Sequence, residues 1–300
     1  MFLTRKINGQ SPILDWFQAR HNAGIDKIIE NANQHLATAN SLQTSETLNS
    51  SSIGLIKVAA VYGLLKHIGY INEDKNWIVN TYASKYVQKP EFDYWMTGVF
   101  TKSMAEEAIQ CLVAGASDIS YRLGQEHKFL KSLSQHRLSG NSDILSALSD
   151  KKETGYWKSA VKDAELAIKY LPRCHKWEPH CLPVISPTFD LSNRIGGAEA
   201  DFIIGDAIVS VVVLEREFKV TNLYELLAYT LLDTNNIYSI KQLIWVFPLR
   251  QTSVVLECSK LFHNIHETRK QFKAMIEENY TIDEFNSSDC GADTLKYSSR

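Results

Sequence analysis

Three hundred residues make one large domain or two ordinary ones, and 44% hydrophobic with 22% charged residues excludes a wholly disordered chain. The 32 basic against 34 acidic residues leave a formal charge of -2, so affinity for nucleic acid has to come from a local basic patch. The scattered Cys111, Cys174, Cys181, Cys258 and Cys290 make no disulfide framework, and neither MFLTRKINGQ nor a run such as VVVL is long enough for a signal peptide or a membrane span, so a cytoplasmic protein is expected.

Residues 1–150 read as a helical N-terminal region. SPILDWFQARHNAGIDKIIENANQHLATANSL carries Ile13, Leu14, Phe17, Ile25, Ile28 and Ile29 at helical spacing. QTSETLNSSS, residues 43–52, reads as a loop. IGLIKVAAVYGLLKHIGYI is a strongly apolar helix punctuated by Gly63 and Gly69, and the helical pattern resumes over residues 92–136. SGNSD, residues 139–143, breaks it and offers Asn141, Ser142 or Asp143 as a helix cap.

The second half changes character. Residues 155–171 form an amphipathic helix stopped by Pro172. CLPVISPTF, ADFII and AIVSVVVLEREFKV favour strands. NLYELLAYTLLD is a helix capped by Thr221 or Asn222, IKQLIWVFPLR a strand, and residues 253–279 a long closing helix. The polar stretch after Tyr280 reads as a frayed tail. The order predicts an α/β fold with a small mixed sheet flanked by helices, its core over 151–285 and a polar tail over 286–300.

A tight turn at Gly205-Asp206 pairs residues whose numbers sum to 411, so Asp201 faces Ser210 and Glu199 faces Val212. Glu199, Asp201, Ser210, Val212 and Leu214 then share one side; Val211, Val213, Glu215, Glu217 and Lys219 take the other. Metal-dependent phosphodiester hydrolysis needs two carboxylates converging on Mg²⁺ and commonly a lysine beside them. Asp201 is placed as the first carboxylate, but serine and valine stand where the second acid and the lysine belong.

SPTFDLSNRIGGAEADFIIGD, followed by ELLAY (Glu225 to Tyr229), resembles the PD-(D/E)xK, or restriction-endonuclease-like, superfamily. It looks like bacterial proteins carrying GGADAD, a strand ending Asp-Ile-Lys and a Gln-x-x-x-Tyr helix. The likeness covers about residues 185 to 250, with FDYWMTGVF as a further upstream match. It implies a restriction-endonuclease-like core and a bacterial or phage protein in a defence or mobile-element setting. Asp201 is retained; the second acid aligns with Ser210, the lysine with Val212 and the helix glutamine with Glu225.

Two functions stay open. One is a nuclease fold that has lost hydrolysis and acts by binding nucleic acid or protein, the helical half offering a surface for a protein partner. The other is an active Mg²⁺- or Mn²⁺-dependent nuclease rebuilt around Asp201. Its metal carboxylates would come from Asp201, Glu199 and Glu215, and its catalytic set from Asp201, Glu217, Lys219, Glu225 and Tyr229. EREFK holds a literal E-x-K, but Glu217 lies roughly 23 Å along the strand at about 3.3 Å per residue, a gap that a β-bulge does not close.

Elsewhere the plainer readings prevail. In CHKWEPHC the Cys174, His175, His180 and Cys181 spacing misses the paired zinc-ligand pattern and reads as a turn. His263 and His266, at i, i+3, read as solvated side chains on one helix face, Tyr224 as packing, Arg250 as solvated and the tryptophans as core. The basic clusters at 151–162 and 266–273 alternate with acids and read as solvated helix faces. No phosphate-cradling, dinucleotide-binding or nucleophile-elbow motif is present, so no nucleotide cofactor is expected.

Overall fold

A computed structural model describes residues 2–39, 50–67, 104–123, 127–134, 155–177, 181, 183–198, 200–213 and 217–280. In the first half it has α1 (Phe2–Asn8), α2 (Pro12–Gln18), α3 (Ala23–Thr38), α4 (Ser50–His67), α5 (Met104–Leu123) and α6 (Lys128–Ser134). The single helical pattern of residues 11–42 divides because the chain carries two caps. Ser11 Oγ accepts from Leu14 N–H at 3.1 Å with Pro12 behind it, and Asn22 Oδ1 accepts from Gly24 and Ile25 N–H at 2.9 and 3.3 Å. The loop expected over 43–52 gives way to α4 from Ser50; residues 43–49 lie outside the described residues, as do 92–103, 139–143 and the tail after Tyr280.

The second half runs α7 (Gly155–Tyr170), β1 (Val184–Ile185), β2 (Phe202–Ile204), β3 (Ala207–Val211), α8 (Val220–Leu232), β4 (Gln242–Phe247), β5 (Thr252–Glu257), a turn of helix α9 (Cys258–Leu261) and α10 (Ile265–Asn279). The five strands lie in the order β1-β2-β3-β4-β5. All neighbours are antiparallel except β3 and β4, which run parallel and are joined by the α8 crossover. The β2–β3 partners are Phe202 with Val209, Ile203 with Ile208 and Ile204 with Ala207, the register read from the Gly205-Asp206 turn.

The expected closing helix over 253–279 is wrong in its first third. Thr252-Ser-Val-Val-Leu-Glu forms β5, because two adjacent β-branched residues fit a pleated edge better than a helix. The turn of helix α9 follows directly, and the long helix α10 starts where Asn264 Oδ1 takes Glu267 N–H at 3.1 Å. His263 therefore precedes α10 and shares no helix face with His266; both are exposed. The strand expected over 207–220 stops at Val211. The cap of α8 is Lys219, with Asn222 three residues in and its Oδ1 taking Lys219 N–H at 2.7 Å.

Strand alternation divides the interior into two layers. On one face Phe202, Ile204, Val209, Val211, Ile244 and Val246 pack with α4, α5, α6 and α7. On the other, Ile203, Ile208, Val212, Leu243, Trp245 and Phe247 pack with α1, α2, α3, α8 and α10. The fold is thus α/β, a mixed sheet between two helical layers. The helices of the first half cover both faces of the strands of the second.

Candidate functional site

The loop into β2 is set by its glycines. Ser192 Oγ accepts from Phe189 N–H and donates to Ala198 O, both at 2.9 Å, closing the SPTF–GGA segment on itself. Gly196 and Gly197 have φ of 82° and 99°, left-handed values that a side chain disfavours, and Gly197 N–H reaches Ser192 O at 2.8 Å. The Gly-Gly pair of the motif therefore serves the turn that delivers Asp201.

Asp201 stands just before the first paired residue of β2. Its Oδ2 accepts from Val211 N–H at 2.7 Å, supplying an acceptor on the side of β3 where β2 has run out. The same oxygen meets Lys57 Nζ at 2.9 Å, with the two side chains 18% and 30% exposed. Lys57 comes from α4, the layer opposite to the one strict alternation assigns to Asp201. Val212 is buried among the α8-side residues, and Ser210 is buried on β3. The cation beside Asp201 is thus Lys57, delivered from far upstream in the chain.

Among the described residues the other candidates do not gather on this carboxylate. Glu225, on α8, accepts from Thr4 Oγ1 of α1 at 2.6 Å and lies 3.5 Å from Tyr229 Oη. Tyr229 is buried and stacks on Phe189 at 5.4 Å. Glu217 and Lys219 are exposed at the entry to α8, while Phe218 between them is buried edge-on to Trp245. Asn33 of α3 holds that turn with two bonds, accepting from Phe218 N–H at 2.7 Å and donating to Phe218 O at 3.0 Å. Glu199 and Glu215 lie outside the described residues.

Asp201 Oδ2 already carries a lysine ammonium and a backbone N–H, whereas a divalent ion needs several oxygens converging on it; Glu199 and Glu215, the carboxylates expected beside it, are not among the described residues. Among the described residues no group of three or more His, Cys, Asp or Glu is placed to hold a metal ion.

Tyr224 stacks on Phe17 at 4.8 Å, and its hydroxyl lies 2.7 Å from His21 Nδ1. His21 Nε2 lies 2.7 Å from Asp26 Oδ1, which can only accept, so in the neutral ring Nδ1 accepts from the tyrosine. Burial, then the Asp26 charge, pushes the Tyr224 phenol up. The Cys174 thiol donates to Tyr170 O at 3.2 Å, and burial pushes it up to about 12; His180 lies outside the described residues. Arg250 donates to Leu36 O at 2.8 Å, so its guanidinium ties two elements together. Neither Lys57 nor His21 was singled out by sequence reasoning, because each meets its partner across a long separation that leaves no local pattern.

In comparison with known proteins, no family model, no curated protein and no solved structure matches this chain. No helix among the described residues is long and apolar enough to cross a membrane.

Proposed function

We propose that this chain is a restriction-endonuclease-like protein that has lost hydrolysis and acts by binding. One observation carries the reading: Asp201 Oδ2 is occupied by Lys57 Nζ and Val211 N–H, while Ser210 and Val212 hold the positions of the second acid and the lysine. The carboxylate thereby ties α4 to the β2–β3 hairpin and is not presented to a metal. The helix–three strands–helix–strand order from α7 to β4, with its parallel β3–β4 pair, supports the nuclease-like core.

A second reading has its own observation. Lys57 places a cation 2.9 Å from Asp201, so an active site would draw its lysine from α4 and not from the EREFK segment. An oligonucleotide-cleavage assay in Mg²⁺ and in Mn²⁺, on wild type, Asp201→Asn and Lys57→Met, separates the two. No cleavage by folded wild type is expected. Cleavage by wild type that both substitutions abolish would overturn the binding reading in favour of the enzyme.

A further inference from the structure

From its middle onward α7, with the turn after it, carries a basic stripe that the packing does not use. Lys162 and Lys169, seven residues apart on α7, share one face of the helix; Arg173 follows in the 3₁₀ turn after Tyr170, and Lys176 just beyond. All of them are exposed, and none makes an ion pair among the described residues. Other surface lysines do: Lys241 with Asp206, Lys260 with Glu257 and Lys273 with Glu277.

Of the two acids on this stretch, Asp163 is fully buried and Glu165 flanks the stripe without pairing with it. The helix dipole accounts for the cation in the last turn of α7, Lys169, but not for Lys162 at mid-helix or for Arg173 and Lys176 past its end. At 1.5 Å per residue the stripe from 162 to 173 runs about 16 Å, long enough to meet several phosphates of a strand.

We infer that this face is a docking surface for the phosphate backbone of single-stranded nucleic acid. Half-exposed Tyr170 sits between two of the cations, with Lys169 Nζ 5.3 Å and Arg173 Cζ 5.8 Å from its ring centre. An aromatic ring among cations is the arrangement that stacks an unpaired base while the charges hold the chain. A membrane surface fits less well. The large apolar side chains exposed among the described residues are Val184, Ile237 and Val255, none of them on α7. Beyond the stripe, Trp177 packs on Phe202 at 5.7 Å, so the same segment leads to the strand that Asp201 precedes. The inference rests on the binding reading above and names its partner.

The test is fluorescence anisotropy with a labelled 20-nucleotide oligo(dT) between 50 and 200 mM salt. Wild type is compared with Lys162→Gln/Lys169→Gln/Arg173→Gln and with a control that removes three paired lysines, Lys241→Gln/Lys260→Gln/Lys273→Gln. The stripe variant is expected to bind at least tenfold more weakly, and its log K against log salt slope to be shallower by about 2, at about 0.7 per lost contact. The control is expected to bind as wild type. No binding by wild type, equal loss in both variants, or displacement of the probe by phosphatidylserine vesicles at equivalent charge would overturn the inference. Cleavage of a probe that still binds through the stripe would sink the loss-of-hydrolysis reading and leave this surface standing.

Discussion

The Asp201 carboxylate answers to two donors at once, and that decides what its removal does. Asp201→Ala orphans Val211 N–H and removes the carboxylate 2.9 Å from Lys57 Nζ, so a loss of about 1–3 kcal/mol in urea unfolding is expected. Asp201→Asn keeps an acceptor for the amide and should lose less. In a double-mutant cycle of Asp201→Asn with Lys57→Met, the losses should fall short of additivity by at least about 0.5 kcal/mol. Strict additivity, with no loss for Asp201→Ala, would mean that the carboxylate is free and would return it to the candidate metal ligands. At this scale the sequence marked the residue but not its role. The hairpin register followed from Gly205-Asp206 alone, whereas Lys57 stands among the apolar neighbours of α4 with no sign of its partner.

Between elements, glycine lets two helices come together. A Cβ at Gly63 of α4 would lie 2.6 Å from Ile168 Cγ2 of α7, so the two helices meet where only hydrogen fits. Gly63→Val should cost about 1–3 kcal/mol through overpacking, and Ile168→Ala on that background should recover part of it. If Gly63→Val melted like wild type, the α4–α7 contact would have to be looser than described. Strands β2, β3 and β4 were legible because β-branched runs are bounded by turn residues. β5 was not, since Val254, Val255 and Leu256 stand beside a true helix and their apolar spacing suits either period. Nor did the sequence divide α2 from α3: Asn22 is a cap only once its side chain turns back on Gly24 and Ile25.

For the whole molecule, the buried thiols set a limit at high pH. Burial pushes Cys174 up to about 12 and Cys258 to about 11 from an ordinary value of 9.0. Their folded pKa values are raised, so the folded chain keeps protons that the unfolded chain releases. Stability is then full below pH 9 and falls as pH rises towards 11–12, by about 1.4 kcal/mol per unit for each thiol. Tyr224, Tyr238 and Tyr280, raised chiefly by burial, act in the same direction from about pH 10. Urea midpoints measured at pH 7.5, 9 and 10 should decline, and Cys174→Ala/Cys258→Ala should flatten the decline. A midpoint independent of pH in wild type would contradict the burial of both thiols.

The two helical layers bear on how the chain is made. α1 to α3 leave the ribosome before any strand they cover; at about 5–20 residues per second the sheet follows on the order of ten seconds later. Through that interval Leu3, Ile7, Ile13, Phe17 and Leu36, all buried in the finished molecule, have no strand to lie against. The nascent first half is therefore a client for chaperones that hold apolar segments, and slow translation across residues 135–183 would lengthen its exposure.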